Sequence, residues 1–388
     1  MGNMRCACRT AAALALLLLA AATSGCWDAL DIDRRAFIAV MGLDSDVSEE
    51  GRRPRVSVMI PTMGMPGAGG AGGGAGAGEE TSSKVLVVEE SGVNVEEAVQ
   101  RIRSMVGGVI DFSTLQYVVT SKDAGPEDLT EALHALQFTR FIPLTPLVFA
   151  TEQKAGDLLR AQSPTGRSFT DTLDAIQIQS RLGFGHVQYP GAWEIMAMLI
   201  NKTGDMALTL VNRTDEGDGL KAVGLAVYDG PRYVGTVAPD DALMLHCVAR
   251  RRYSGGAYLF RGDDRDLLIR IARARTRVEA DPGDAGVPHF RVSMRVNAAL
   301  MDSGGYRLPL LNRKKLDELE QVAARDMEDR LGRLLERLKS WNSDAMRLYH
   351  EVRVRMPEMS YEDFKEVYPR VKVDFDVSVL LIRTGLLR

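Results

Sequence analysis

Two hydrophobic rhythms divide the chain. Up to about residue 212, apolar runs are short and unbroken and alternate with stretches of helical spacing. Residues 36–41 and 55–60 predict two strands, with the charged, Gly-containing stretch 44–53 as their hairpin connection. Strands follow at 84–89, 115–120, 147–150 and 206–211, and helices at 94–106, 126–138, 154–160 and 193–199. Asn94 and Glu97 stand at capping-box spacing, and Pro126 suits the first turn of its helix. Strands interleaved with helices define an α/β layer domain.

Beyond the polar, Gly-rich stretch 213–219 the rhythm changes to strict alternation. Residues 221–228 and 232–237 flank Asp229-Gly230-Pro231, a hairpin signal. Across 289–301, Phe290, Val292, Met294, Val296, Ala298 and Leu300 face one way and Arg291, Ser293, Arg295 and Asn297 the other. The run 371–379 repeats this pattern. Period two with one polar face predicts half-buried antiparallel strands. Between them, 313–341 is a long amphipathic helix whose stripe (Leu316, Leu319, Ala323, Met327, Leu331, Leu334, Leu338, Trp341) either packs on its own sheet, the preferred reading, or docks a partner helix. The expected fold class is therefore α+β (mixed α/β). An N-terminal α/β region (26–212) precedes a C-terminal antiparallel sheet packed with the long helix (213–388). The Gly/Ala tract 64–78 is expected to be a disordered loop. It lacks the Gly-Lys-Ser/Thr ending that a phosphate-cradling loop needs.

The first 25 residues have another logic. Arg5 and Arg9 precede an apolar run over 11–22, then Thr23-Ser24-Gly25, then Cys26. Twelve helical residues span about 18 Å at ~1.5 Å each, too short for a membrane core of roughly 30 Å. The segment reads as a secretory signal (1–25) ending in a lipobox, cut between Gly25 and Cys26 with lipid on Cys26. The competing reading is an ordinary secreted protein with a cysteine near its cleavage site. No later segment reaches spanning length without charge, so lipid would be the anchor.

Composition narrows the chemistry. The chain is mildly acidic, with a formal net charge of -4, which argues against nucleic acid and against electrostatic adhesion to anionic lipid. Of four cysteines, Cys6 and Cys8 leave with the signal, and Cys247 lies in an apolar run as a small buried hydrophobe. One free thiol makes neither a disulfide nor a cysteine-rich metal site. His134, His186, His246, His289 and His350 have no metal-ligand spacing, and no Gly-x-Ser-x-Gly elbow is present. The acidic stretches 215–218 and 263–264 read as solvated turns. No catalytic, cofactor or metal-binding residue is assigned.

Several segments together resemble the Ger(x)C spore germination lipoproteins. They are Cys26-Trp27-Asp28 through Arg35-Ala36-Phe37 to Gly42-Leu43-Asp44; Gly224 to Gly230 with Tyr233-Val234-Gly235; Ser343-Asp344; and Tyr368-Pro369-Arg370 through Ile382-Arg383-Thr384-Gly385. Departures are Thr23, the tract at 64–78, and Ala345-Met346-Arg347-Leu348-Tyr349, where the family often has Phe and Gly. The resemblance implies a non-enzymatic, lipid-anchored subunit of a nutrient germinant receptor, on the outer face of the spore inner membrane with integral membrane A and B subunits. The alternatives are a solute-binding lipoprotein of a transporter and an anchored envelope enzyme.

Overall fold

The computed structural model describes residues 34–48, 51–61, 85–138, 145–161, 169–181, 190–214, 219–261, 266–283, 286–302 and 313–382. The tract 64–78 lies outside them. A short parallel pair, β1 (Arg35–Phe37) with β5 (Val109–Asp111), stands beside an eight-stranded sheet. That sheet contains β2 (Val40–Ser48), β3 (Gly51–Pro61), β4 (Val85–Ser91), β6 (Tyr117–Ser121), β7 (Leu147–Thr151), β8 (Ala207–Arg213), β9 (Leu220–Asp229) and β10 (Arg232–Val237), in the order β10-β9-β8-β7-β6-β2-β3-β4.

Its centre, β2-β6-β7-β8, is parallel, and antiparallel hairpins extend both ends. Parallel strands need cover on both faces, which is why β6 is buried at every position. On one face lie α1 (Val95–Met105), α2 (Asp128–Phe138) and α5 (Ala192–Asn201), and on the other α3 (Ala155–Leu159) and α4 (Phe169–Arg181). The Asn94 side chain accepts from the Glu97 N–H at 2.8 Å, and Glu97 reaches back to the Val93 N–H at 2.7 Å, one residue earlier than a standard capping box. The apolar run 36–41 is two strands, because the chain changes sheets at Ile38 and Ala39: Ile38 N–H donates to Asp111, and Ala39 N–H to Met59.

The hairpin β9–β10 pairs with β8 inside this first sheet. A boundary drawn at residue 213 therefore falls between two neighbouring strands. The second sheet contains β11 (Arg252–Tyr253), β12 (Ala257–Arg261), β13 (Asp266–Asp281), β14 (His289–Asp302) and β15 (Lys372–Ile382). It is antiparallel except at β15, which runs parallel to β14 and so departs from the expectation. The physical reason is the long crossover between them, which holds α7 (Arg313–Ser340), α8 (Tyr349–Arg355) and α9 (Tyr361–Val367).

The α7 stripe packs on its own sheet: Leu316, Leu319, Ala323, Met327, Leu331, Leu334 and Leu338 share one core with Val292, Val296 and Val379. The helix also closes the sheet edge, since Glu328 and Glu320 accept from the free N–H groups of Val377 (2.8 Å) and Leu381 (2.9 Å). The sixth helix in chain order, α6 (Pro239–Ala249), lies between the two large sheets with almost every residue past its first turn buried.

Candidate functional site

Gly25 and Cys26 lie outside the described residues, as do His186 and the acidic turns 215–218 and 263–264. His134 and His350 are exposed, and His289 lies 2.9 Å from Asp374. His246 and Cys247 sit buried side by side on α6. Burial pushes the Cys247 thiol up to about 12 and the His246 imidazole down to about 3, the latter helped by Arg250 and Arg347. Neither is poised as nucleophile or base near neutral pH. Among the described residues, no group of three His, Cys, Asp or Glu could hold a metal ion.

The densest chemistry lies where the two sheets meet. Four polar segments that are far apart in sequence converge there. Asp205 follows two residues of positive φ, Lys202 and Gly204. Asp229-Gly230 is the β9–β10 turn, which Gly230 opens at φ 56. Ser343-Asp344 leaves the end of α7 just after Asn342 at φ 51, and Lys365 projects from α9.

Lys365 Nζ is 2.6 Å from Asp205 Oδ2 and 2.6 Å from Asp229 Oδ1, and it also donates to the Asn342 carbonyl. Asp205 accepts in addition from the N–H groups of Gly230 and Asp344, each at 2.7 Å. Asp344 accepts from the N–H groups of Leu348 (2.8 Å) and Tyr349 (2.9 Å), and Ser343 Oγ donates to the Tyr228 carbonyl at 2.6 Å. Burial pushes the Asp344 carboxyl up to about 7, with Asp205 adding to the rise, while the two N–H donors and Lys365 pull against it.

A second set of charges lies alongside. Glu194 on α5 takes Arg347 at 2.9 Å and Arg250 at 3.0 Å. Arg251 donates to the Arg347 carbonyl at 3.0 Å and stands 3.5 Å from Glu351. Pro190, Met198, Asp205, His246, Arg250 and Arg347 border a cavity of about 20 Å³. Among the described residues, the buried His246 Nε2 has no hydrogen-bond partner. That volume admits about one water molecule.

Other described residues of the segments singled out in the sequence serve packing. Gly235 lies against the Trp341 ring, 2.5 Å from where a Cβ would stand. At Gly224, φ is 141 and a Cβ would meet the Val237 carbonyl oxygen at 2.1 Å. Gly42 lets α3 approach, with Ala155 Cβ 3.0 Å from a Cβ there, and Asp44 accepts the first N–H groups of that helix, Ala155 (2.8 Å) and Gly156 (3.1 Å). Tyr368 is fully buried. These residues join elements. Sequence patterns missed Asp205 and Lys365, because neither sits in a motif; only the folded chain brings them together.

The molecule is thus a mixed α/β protein whose two large sheets share an apolar core around α6 and also meet at a buried ionic cluster. Residues 28–213 match the "Spore germination protein N-terminal domain", and residues 223–385 match "Spore germination B3/ GerAC like, C-terminal". The chain belongs to the Ger(x)C family of spore germination proteins. It is similar to spore germination protein KC of Bacillus subtilis (strain 168), at 23% identity over 96% of this chain and 95% of that protein. Its fold is similar to the crystal structure of the GerBC protein, with a TM-score of 0.50 and 15% identity, covering 88% of this chain and 97% of that one.

Proposed function

We propose that the chain is the lipid-anchored, non-enzymatic C subunit of a nutrient germinant receptor. It acts with integral membrane A and B subunits on the outer face of the spore inner membrane. Cleavage between Gly25 and Cys26 leaves lipid on Cys26. The observation that carries this proposal is that the two germination-family regions follow one another over nearly the whole chain, behind a lipobox-like start. Among the described residues no helix is long and apolar enough to cross a membrane. Two or three acyl chains hold a protein at a bilayer far more firmly than one. Confinement to that surface raises its effective concentration at membrane partners. The solute-binding alternative gains little from the junction cavity of about 20 Å³, which admits about one water molecule.

The test is Cys26→Ala in the native host, with membrane fractionation and nutrient-triggered germination as readouts. The expected product is folded, absent from the membrane fraction and unable to support germination. Normal germination by a soluble product overturns the proposal.

A further inference from the structure

The second sheet has one covered and one open face, and the open face carries an unusual charge pattern. The bulge between Ile271 and Arg273 brings Arg270 and Arg273 to the same side as Arg275 and Arg277. Across the strands, Arg252 on β11 stands directly opposite Arg275 on β13, which stands opposite Arg295 on β14. Strands lie about 4.8 Å apart, so three like charges occupy a row roughly 10 Å long. Directly opposed like charges destabilise a sheet. Among the described residues, Arg252, Arg270, Arg273, Arg275 and Arg295 make no ion pair and no side-chain hydrogen bond. This stands out in a chain of net charge -4.

The acids toward the far end of the face are Glu279, Asp281, Asp374 and Asp376. Glu279 is held by Arg277 (2.8 Å) and Arg291 (3.5 Å), and Asp374 by His289 (2.9 Å). Toward the other end the arginines run into exposed aliphatic side chains. Leu380 lies in the row of Asn297 and Arg273, and Ile382 in the row of Ala299, Arg270 and Ala257. Leu259 and Met301 are exposed at the same corner, where Asp266 also lies.

Unpaired guanidinium groups bordered by exposed aliphatic chains suit an interface between water and anionic phospholipid. Guanidinium forks bind phosphate oxygens in bidentate fashion, and aliphatic tips enter the boundary between headgroups and acyl chains. We propose that the open face of β11–β15 docks on anionic phospholipid headgroups and so sets the orientation of the tethered molecule on its membrane. This proposal rests on the membrane-tethered function above.

The test uses the unacylated chain from Trp27 onward, so that failure of this face and failure of the tether are separate results. Sedimentation with phosphatidylglycerol–phosphatidylcholine vesicles is compared with pure phosphatidylcholine. Binding is expected on the anionic vesicles only and should weaken with added salt. The triple variant Arg252→Gln/Arg275→Gln/Arg295→Gln should lose on the order of 100-fold in partitioning, at about fivefold per arginine. An equal charge change elsewhere, Arg101→Gln/Arg103→Gln/Arg313→Gln, removes arginines already paired with carboxylates and should leave most of the binding. Equal binding to both vesicle types overturns the proposal, as does equal loss in the two triple variants. Arginine-dependent capture of polyglutamate without vesicle binding also overturns it, in favour of an acidic protein segment. Unchanged thermal unfolding of both variants keeps the comparison valid.

Discussion

The two sheets differ in how they are covered. Helices lie on both faces of the first, so β6 is buried at all five positions. The second is covered on one face only, and β13 alternates between core residues such as Ile269 and Val278 and exposed arginines. A sheet covered on both sides is spent on stability, whereas a one-sided sheet presents a broad, rigid surface to a partner. Asp205, Asp229, Asp344 and Lys365 tie the first sheet to the crossover of the second, beside the apolar core that Leu225 and Val237 share with it.

The largest expected effect breaks that junction. Lys365→Met strands Asp205, which is almost wholly buried, and Asp229 without their cation. Removing one partner of a buried pair costs about 3–5 kcal/mol, which denaturant titration would measure. Gly224→Ala comes next. A side chain there meets both an unfavourable φ and the Val237 carbonyl, so a loss of about 1–3 kcal/mol is expected, together with a weaker β9–β10 hairpin.

Asp344→Asn sharpens the comparison through pH. The folded carboxyl titrates near 7 against an ordinary value of 3.8, so the folded state binds the extra proton between those limits. Its contribution is complete below about 3.8 and is lost as pH rises through 7. The variant should flatten that decline in a pH series of unfolding midpoints, while forfeiting one N–H acceptor at a cost of about 1–3 kcal/mol. The smallest effect belongs to the open face. Arg295→Gln should stay within about 0.5 kcal/mol of the parent, with relief of its repulsion from Arg275 offsetting what is lost.

Much of this contrast was legible in the sequence. The long helix, its buried stripe and the alternation of β14 and β15 follow directly from spacing. Strand β13 was legible but missed, because its open positions are arginines and the bulge at Ala272 shifts the alternation by one residue. Helix α6 has no polar face beyond its first turn, so periodicity could not separate it from a buried strand. The parallel pairing of β15 depends on the crossover and not on any residue within the strand. Gly224, Gly230, Gly235 and Asp344 were legible as motif members, but their role at the junction was not. That role depends on Asp205 and Lys365, which lie 160 residues apart.

The central claim is that the buried cluster makes the two sheets one body. Amide hydrogen exchange measured together on β6–β7 and β13–β14 tests it most directly. In the parent chain both pairs should open with the same free energy, and in Lys365→Met they should separate, one sheet opening before the other. Different opening energies in the parent, or a common value that survives Lys365→Met, would contradict the claim.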